Sequence, residues 1–495
     1  MTYLSKSRII AYRQCPKRLW LEVHRRELRD DSSAEAVFAI GNEVGDVARQ
    51  VYDEDGDGIF LDLDEIGFAE SLARSAELLA EGEVPVFEAG FRGGGGLAFA
   101  DVMLPDGSAG LSRWRMIEVK SSTSVKDYHR DDVAVQACIA EAAGIDITSV
   151  ALAHIDNTFV YPGGGDYRGL FHEEDLTDEA RSRREEAAAW IAEAQDVVER
   201  EEEPLIETGP HCTDPFACPF LAYCSRDNEE VEYPLTSLPR FSATARETWQ
   251  ARGIFDLREM PDEALNEIQR RVKEASLTGM AYFDRVGAAA ELTHHDFPAW
   301  FLDFETAAFP VPIWAGTRPY KPIPFQFSLH RLDASGQLVH EAFLDLGGDD
   351  PRESFTRSLV ATCGTSGPVF VYNASFERRI MRTLAEQFPA HAGPLESIID
   401  RLVDLLPIAR QHYYHPGQHG SWSIKAVLPC LVPDLSYGEL DGVADGEMAS
   451  TAFREALAST TPDSRKTEIE RELLAYCHLD TLAMVRMWEA FRGDS

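Results

Sequence analysis

Lysine is scarce in this chain of 495 residues. Only eight of its 47 basic residues are lysine, and they face 84 acidic ones, for a net charge of −37. Such a balance excludes a uniformly basic surface for gripping a polyanion. It leaves local basic patches free to act, because charges farther apart than about 8 Å are largely screened at physiological salt. Cysteine is also sparse, at eight residues, which excludes a disulfide-stapled secreted scaffold and makes any thiol cluster a metal-site candidate. No apolar run approaches the roughly 20 residues of a membrane span, and the start MTYLSKSRII has no apolar leader, so a cytoplasmic protein without a membrane partner is expected. No internal repeat is present, and no GxxxxGK[ST] phosphate loop, so the chain has no ATP motor of its own. What remains is ordinary globular composition, 44% hydrophobic and 26% charged. At roughly 150 residues per domain, about three domains are expected.

The acidity has one local reversal. Residues 1–30 hold Lys6, Arg8, Arg13, Lys17, Arg18, Arg25, Arg26 and Arg29 against Glu22, Glu27 and Asp30. Hydrophobic patterning over 5–30 and 34–52 predicts helices. VPVFEAGF (84–91), LAFADVML (97–104) and WRMIEVK (114–120) then read as three strands, turned at Gly93 to Gly96 and at Pro105-Asp106-Gly107. A helix over 131–144, a strand over 148–161 and a long solvated helix over 175–203 follow. Residues 231–296 read as a helical connector, with two helices around Gly253-Ile254 in a helix-hairpin-helix-like arrangement whose glycine can present amides to a phosphate. From 297 onward a second α/β pattern begins, with AWFLDFET, IPFQFSLHRL, EAFLDLG and PVFVYNAS as strands and a closing helix through AYCHLD.

Three constellations carry chemistry. In IEVK, Glu118 and Lys120 share a strand face, and Asp101 on the preceding strand can meet them across the ladder. Two carboxylates can hold Mg²⁺ and a neighbouring lysine can help deprotonate a water, a combination suited to phosphodiester hydrolysis. An E-x-K is a weak signal alone; the apolar strands around it and Gln136 on the next helix sharpen it. The second constellation is HCTDPFACPFLAYC, with Cys212, Cys218 and Cys224 at regular spacing. Cys15, in a Cys-Pro dipeptide like Cys218-Pro219, is the candidate fourth ligand. Four thiolates suit a [4Fe-4S] cluster or a tetrahedral Zn²⁺, with His211 as a neighbour. Cys138, Cys363, Cys430 and Cys477 read as packing residues. In the third, Asp303 and Glu305 share a strand face, Glu377 follows a buried strand, and Tyr476 and Asp480 share a helix face. Four carboxylates from three segments can hold two Mg²⁺ or Mn²⁺ ions for in-line phosphodiester cleavage.

ADVML, IEVKSS and the helical Gln136 make residues 1–230 resemble the RecB-like PD-(D/E)XK nucleases, in the iron-sulfur branch. That resemblance implies a restriction-endonuclease-like core with Asp101 and Glu118 on metal, Lys120 catalytic and Gln136 supporting, with Glu88 an auxiliary carboxylate. It also selects a [4Fe-4S] cluster on Cys15, Cys212, Cys218 and Cys224. The sequence departs from that family at Gly45, where a histidine is common, and at Ala140, where a tyrosine is. FLDFET, NASFE and Y-x₃-D make residues 297–495 similar to the DnaQ-like exonucleases of the DEDDy type, on an RNase H-like fold. Asp303, Glu305, Glu377 and Asp480 would then hold metal and Tyr476 position water. Glu377 stands where that family has aspartate. Lys425 in GSWSIKAVLP would touch a phosphate, and Asp404 would support the site. The whole resembles a bacterial family of uncharacterised proteins joining RecB-like and RNase H-like halves. The expectation is a metal-dependent nuclease acting on DNA rather than RNA, in repair or foreign-DNA processing, with a separate helicase or repair partner. The alternatives are an RNA-processing exonuclease and a non-catalytic iron-sulfur scaffold that binds nucleic acid.

Overall fold

The structure, a computed structural model, describes residues 3–30, 34–106, 112–226, 231–440 and 442–493. Gly107 of the expected Pro-Asp-Gly turn lies outside them. The chain is mixed α/β and divides into two compact units, Met1–Asn228 with Phe309–Lys321, and Glu229–Ala308 with Pro322–Ser495.

The first unit is built on a seven-stranded sheet of β1 (Leu4–Ser5), β2 (Ile59–Phe60), β3 (Val86–Gly93), β4 (Gly96–Pro105), β5 (Arg113–Lys120), β6 (Asp146–Ile155) and β7 (Phe171–Asp175). Its order is β2-β3-β4-β5-β6-β7, with β1 paired to β4. The β3–β4 turn needs left-handed backbone at both central residues, and Gly94 (φ 58°) and Gly95 (φ 89°) supply it. Strands β5 and β6 are parallel, so a crossover must join them. The helix Asp127–Ala142 is that crossover, and it buries Val133, Ala134, Val135 and Ile139 in the core with Met103, Trp114 and Met116.

Three expectations in this unit need correction. The helix expected over 5–30 is two, Lys6–Gln14 and Pro16–His24, with Cys15 extended between them (φ −163°, ψ 119°). The residue before proline is driven out of the helical region, and proline at the first helical position starts the next helix. The strand expected over 148–161 stops at Ile155, because Asp156 accepts from the Thr158 N–H and hydroxyl and turns the chain. The helix expected over 175–203 breaks at Arg183, and its second part, Arg184–Val198, is not wholly solvated: Ala187, Trp190, Ile191, Ala194 and Val197 are buried. The segment Phe309–Lys321, expected in the C-terminal half, also belongs to this unit. Its Val311 packs with Val44, Val47, Ile155 and Leu170.

The second unit holds β8 (Tyr282–Phe283), β9 (Ala299–Ala307), β10 (Ile323–Leu332), β11 (Leu338–Leu344), β12 (Val369–Val371), β13 (Leu402–Asp404) and β14 (Tyr413–Tyr414). Its main sheet runs β11-β10-β9-β12-β13, antiparallel through β11, β10 and β9 and parallel from β9 to β13. A helix of 30 residues, Asp463–Arg492, buries Leu473, Met484, Met487, Trp488 and Phe491. Residues 231–296, expected as a connector, fall within the second unit. Leu235, Leu257, Met260 and Val272 share one buried cluster with Phe301, Phe370 and Trp488, and β8 pairs with β14. An amphipathic helix must bury its apolar stripe against something, and here that partner is the C-terminal sheet layer. The helices flanking Gly253, Ala243–Gln250 and Glu267–Thr278, are separated by residues 251–266 rather than joined in a tight hairpin.

Candidate functional site

In the first unit Met103 pairs with Met116 across β4 and β5. Two residues further along each strand, Asp101 and Glu118 fall on the same face by alternation. The structure brings together all four expected residues. Lys120 Nζ donates to Glu118 Oε1 at 2.6 Å and to Asp132 Oδ2 at 2.7 Å. Asp101 Oδ2 accepts from the Val119 N–H at 2.6 Å. Gln136 Oε1 accepts from Lys6 Nζ at 2.5 Å, and Lys6 also reaches Glu118 Oε1 at 2.7 Å. Lys6 and Asp132 were missed from the sequence. Asp132 had a readable signal, four residues before Gln136 on one helix face; Lys6 had only its place in the N-terminal basic patch.

Glu88 on β3 falls opposite Asp101 on β4, between the Phe87–Val102 and Ala89–Ala100 pairs in an unshifted register, with φ of 58°. A non-glycine residue held at that φ signals a constrained position. Burial first, then Glu118 and Glu88, pushes the Asp101 carboxyl well above its ordinary pKa, and burial and Glu118 raise Glu88. Burial draws the Lys6 and Lys120 ammonium groups down, and Asp132 and Glu118 more than reverse it. Burial raises Asp132, but Lys120 and Lys6 hold it well below the carboxylate range. Glu118 Oε2 is buried with no partner. A buried carboxylate oxygen left in that state is costly, so the donor set Asp101, Glu118 and Glu88 fits a hard divalent cation.

Cys15, Cys212, Cys218 and Cys224 line one cavity together with Lys17, Arg18 and His211. Gln14 holds the loop to the N-terminal helices by donating to the His211 and Phe216 carbonyls at 2.8 and 2.7 Å. His211 Nε2 lies 3.7 Å from Cys212 Sγ, as a neighbour of the thiols. Burial raises the Cys218 and Cys224 thiols, while Arg18 and Lys17 respectively draw them down.

In the second unit Asp303 and Glu305 lie on β9, Glu377 in the first turn of the helix Ser375–Gln387, and Tyr476 and Asp480 on the helix Asp463–Arg492. These residues also converge. After burial, Asp480, Glu305 and Glu377 push the Asp303 carboxyl well above its ordinary value. Burial and Asp480 raise Glu305 to about 8. Burial, with a smaller push from Asp404, raises Glu377 to about 8. Burial lifts Asp480 to about 6 against opposing pulls from Tyr437 and Lys425. The Tyr476 phenol is raised by burial and by Asp480, Glu305 and Asp303. Glu377 Oε2 is buried without a partner. Four carboxylates this close resist ionising together, and a divalent cation is the charge that fits them.

Lys425 stands beside these acids. Its Nζ donates to the Ala444 carbonyl at 2.6 Å and lies 5.0 Å from the Tyr476 ring centre. Asp404 positions rather than coordinates: its carboxylate accepts from the Asn373, Ala374 and Leu406 N–H groups at 2.9, 3.0 and 2.9 Å, pinning the loop before Glu377. Two neighbours were missed. Tyr437 donates to Asp480. Cys477, read as packing, has its sulfur within 4.8 Å of ligand oxygens of Asp303 and Glu305; lying next to Tyr476, it was one residue from being found.

Residues 300–423 match a domain of unknown function, DUF2779. That span contains Asp303, Glu305 and Glu377 but stops short of Tyr476 and Asp480. Comparison with curated proteins returns no match. Among the described residues, no helix is long and apolar enough to cross a membrane.

Proposed function

We propose that the protein is a metal-dependent nuclease hydrolysing DNA phosphodiester bonds, with a RecB-like PD-(D/E)XK site in the first unit and a DEDDy-type 3′-5′ exonuclease site on an RNase H-like fold in the second. The observation that carries this reading is the convergence of the buried Glu305, Glu377 and Asp480 on the half-buried Asp303, whose carboxyl all three push up, with Glu377 Oε2 unpartnered. When bound, Mg²⁺ or Mn²⁺ supplies an activated water and stabilises charge on the departing oxygen. The carboxylates hold the ions, Tyr476 orients the water, and Lys425 offsets the negative charge gathering at Glu305 and Asp480. Arg378, Arg379 and Arg382 project from the helix that carries Glu377 and line one open groove, a track for a phosphate backbone. In the first unit Lys120, held as an ammonium by Glu118 and Asp132, orients the water while Lys6 keeps Glu118 and Gln136 in place.

The cysteine cavity takes a [4Fe-4S] cluster in this reading. What supports this reading is that all four thiols line one small cavity between the N-terminal helices and the C-terminal loop.

The test is a time course on end-labelled single- and double-stranded DNA, with matched RNA in competition, for wild type, Asp303→Ala and Lys120→Ala. Each variant is expected to lose one cleavage pattern by on the order of 100-fold or more. Retention of DNA without cleavage in Mg²⁺ or Mn²⁺ by the wild type would leave a binding scaffold instead, and preferential RNA digestion would reassign the substrate.

A further inference from the structure

Beside the carboxylates of the second unit lies a cluster that the nuclease reading does not use. His330 on β10 pairs directly with His340 on β11, so both imidazoles project from one sheet face. His478, from the helix Asp463–Arg492, covers them. Ring centres are 4.5 Å apart for His330 and His340, 4.9 Å for His330 and His478, and 4.4 Å for His340 and His478. One ring nitrogen from each lies within 4.8 Å of the other two. His330 is 2% exposed.

The hydrogen bonds show which nitrogens are left over. His330 Nδ1 lies 2.8 Å from Thr481 Oγ1, and His340 Nε2 lies 2.9 Å from Ser328 Oγ. The two hydroxyls are 2.7 Å apart, and Thr481 Oγ1 donates to the His478 carbonyl at 3.1 Å. One proton assignment satisfies every contact: each histidine donates to its hydroxyl, Ser328 donates to Thr481, and Thr481 donates to the carbonyl. His330 Nε2 and His340 Nδ1 then carry lone pairs. Three imidazoles packed this closely, with ring nitrogens left to accept, suit a positive centre among them. A hydrogen bond at the far nitrogen is also the arrangement that orients a metal-bound imidazole.

The geometry points to a divalent transition-metal site on His330, His340 and His478, of the class that takes Zn²⁺. Imidazole nitrogens suit zinc, and at about 2.0–2.1 Å each they stand roughly 3.3 Å apart around it. A small closure of the three rings reaches that spacing. The fourth position is left to water or an outside ligand. The ion would tie β10, β11 and the C-terminal helix together. Because Ser328 pairs with Asp303 across β10 and β9 and Thr481 follows Asp480, the same tie would steady the strand and helix that carry those carboxylates. This site stands whether or not the protein cuts nucleic acid.

The test is metal uptake by the full-length protein. Apo protein is titrated with Co²⁺ and Zn²⁺, and wild type is compared with His340→Ala/His478→Ala, each checked for folding by its thermal melt. Wild type is expected to take up one more equivalent than the variant. That equivalent should show a cobalt spectrum of tetrahedral type without thiolate charge transfer, separating it from the cysteine cavity, and zinc should raise the wild-type melting temperature more than the variant's. Equal stoichiometry and spectra in two folded proteins would overturn the proposal. Should the variant fail to fold, anomalous diffraction at the zinc edge from zinc-soaked wild-type crystals decides: a peak among the three imidazoles supports the site, and none at saturating zinc overturns it.

Discussion

Lys6 Nζ contacts Glu118, Gln136 and Asp132 at 2.7, 2.5 and 3.3 Å, so replacing it with methionine leaves a buried carboxylate and an amide short of a partner. As a positioning residue it is expected to lower cleavage by the first unit about 10- to 100-fold, the usual effect of losing an outer-shell partner, with the second unit's pattern unchanged. Equal loss of both patterns in end-labelled digests would refute this assignment. Glu305 and Glu377 give a prediction of opposite character. Their folded pKa values, about 8, lie above the roughly 4.3 of an unfolded glutamate. Each therefore favours folding below about pH 4, and that contribution is lost as pH rises through 8. In a chelator the melting temperature should fall between pH 5 and 8.5 more steeply for wild type than for Glu305→Gln, and saturating Mn²⁺ should flatten the wild-type curve. Identical slopes for the two proteins would sink the idea. Three of the chain's eight lysines, Lys6, Lys120 and Lys425, stand at these two acidic clusters. A compact ammonium fits among carboxylates where a broad guanidinium does not.

At the scale of elements, the break at Cys15-Pro16 decides where one cysteine sits. Pro16→Ala removes the constraint that keeps Cys15 extended. Fusing the two helices would turn the Cys15 side chain away from Cys212, Cys218 and Cys224. Iron and sulfide content of anaerobically purified protein is expected to drop by more than half, and full incorporation would show that the break is incidental. The same scale shows what was legible. The meander around Asp101 and Glu118 follows from alternating apolar residues and from glycines at a turn that demands left-handed backbone, both local signals. Lys6 was not legible as a site residue because it meets Glu118 across 112 positions of chain, and no local pattern encodes a contact so distant. His330, His340 and His478 stayed hidden for the same reason, being single histidines in three segments that only the fold brings together.

For the whole molecule, a charge of −37 requires any polyanion to be held by concentrated patches. Arg379→Ala/Arg382→Ala should reduce the salt dependence of single-strand binding, at ~0.7 per phosphate contact, by about 1.4 in the slope of log K against log salt. An unchanged slope in binding isotherms would place the phosphates elsewhere. Deletion to residues 297–495 removes Leu235, Leu257, Met260 and Val272 from the cluster that holds Phe301 and Trp488. That fragment is expected to lack a cooperative thermal transition, and a sharp melt would restore the connector as an independent element.

Residue types and short spacings were enough to mark out the strands, the paired carboxylates on one face of a strand or helix, and the cysteine run, because each is encoded within a few positions by the periodicity of the backbone. Tertiary structure alone decided which distant side chains complete each cluster: Lys6 and Asp132 beside Glu118, Tyr437 beside Asp480, three histidines around one point. It also decided that residues 231–296 belong to the C-terminal core. Burial of apolar faces selects those partners, and an apolar stripe specifies that it must be covered without specifying by what.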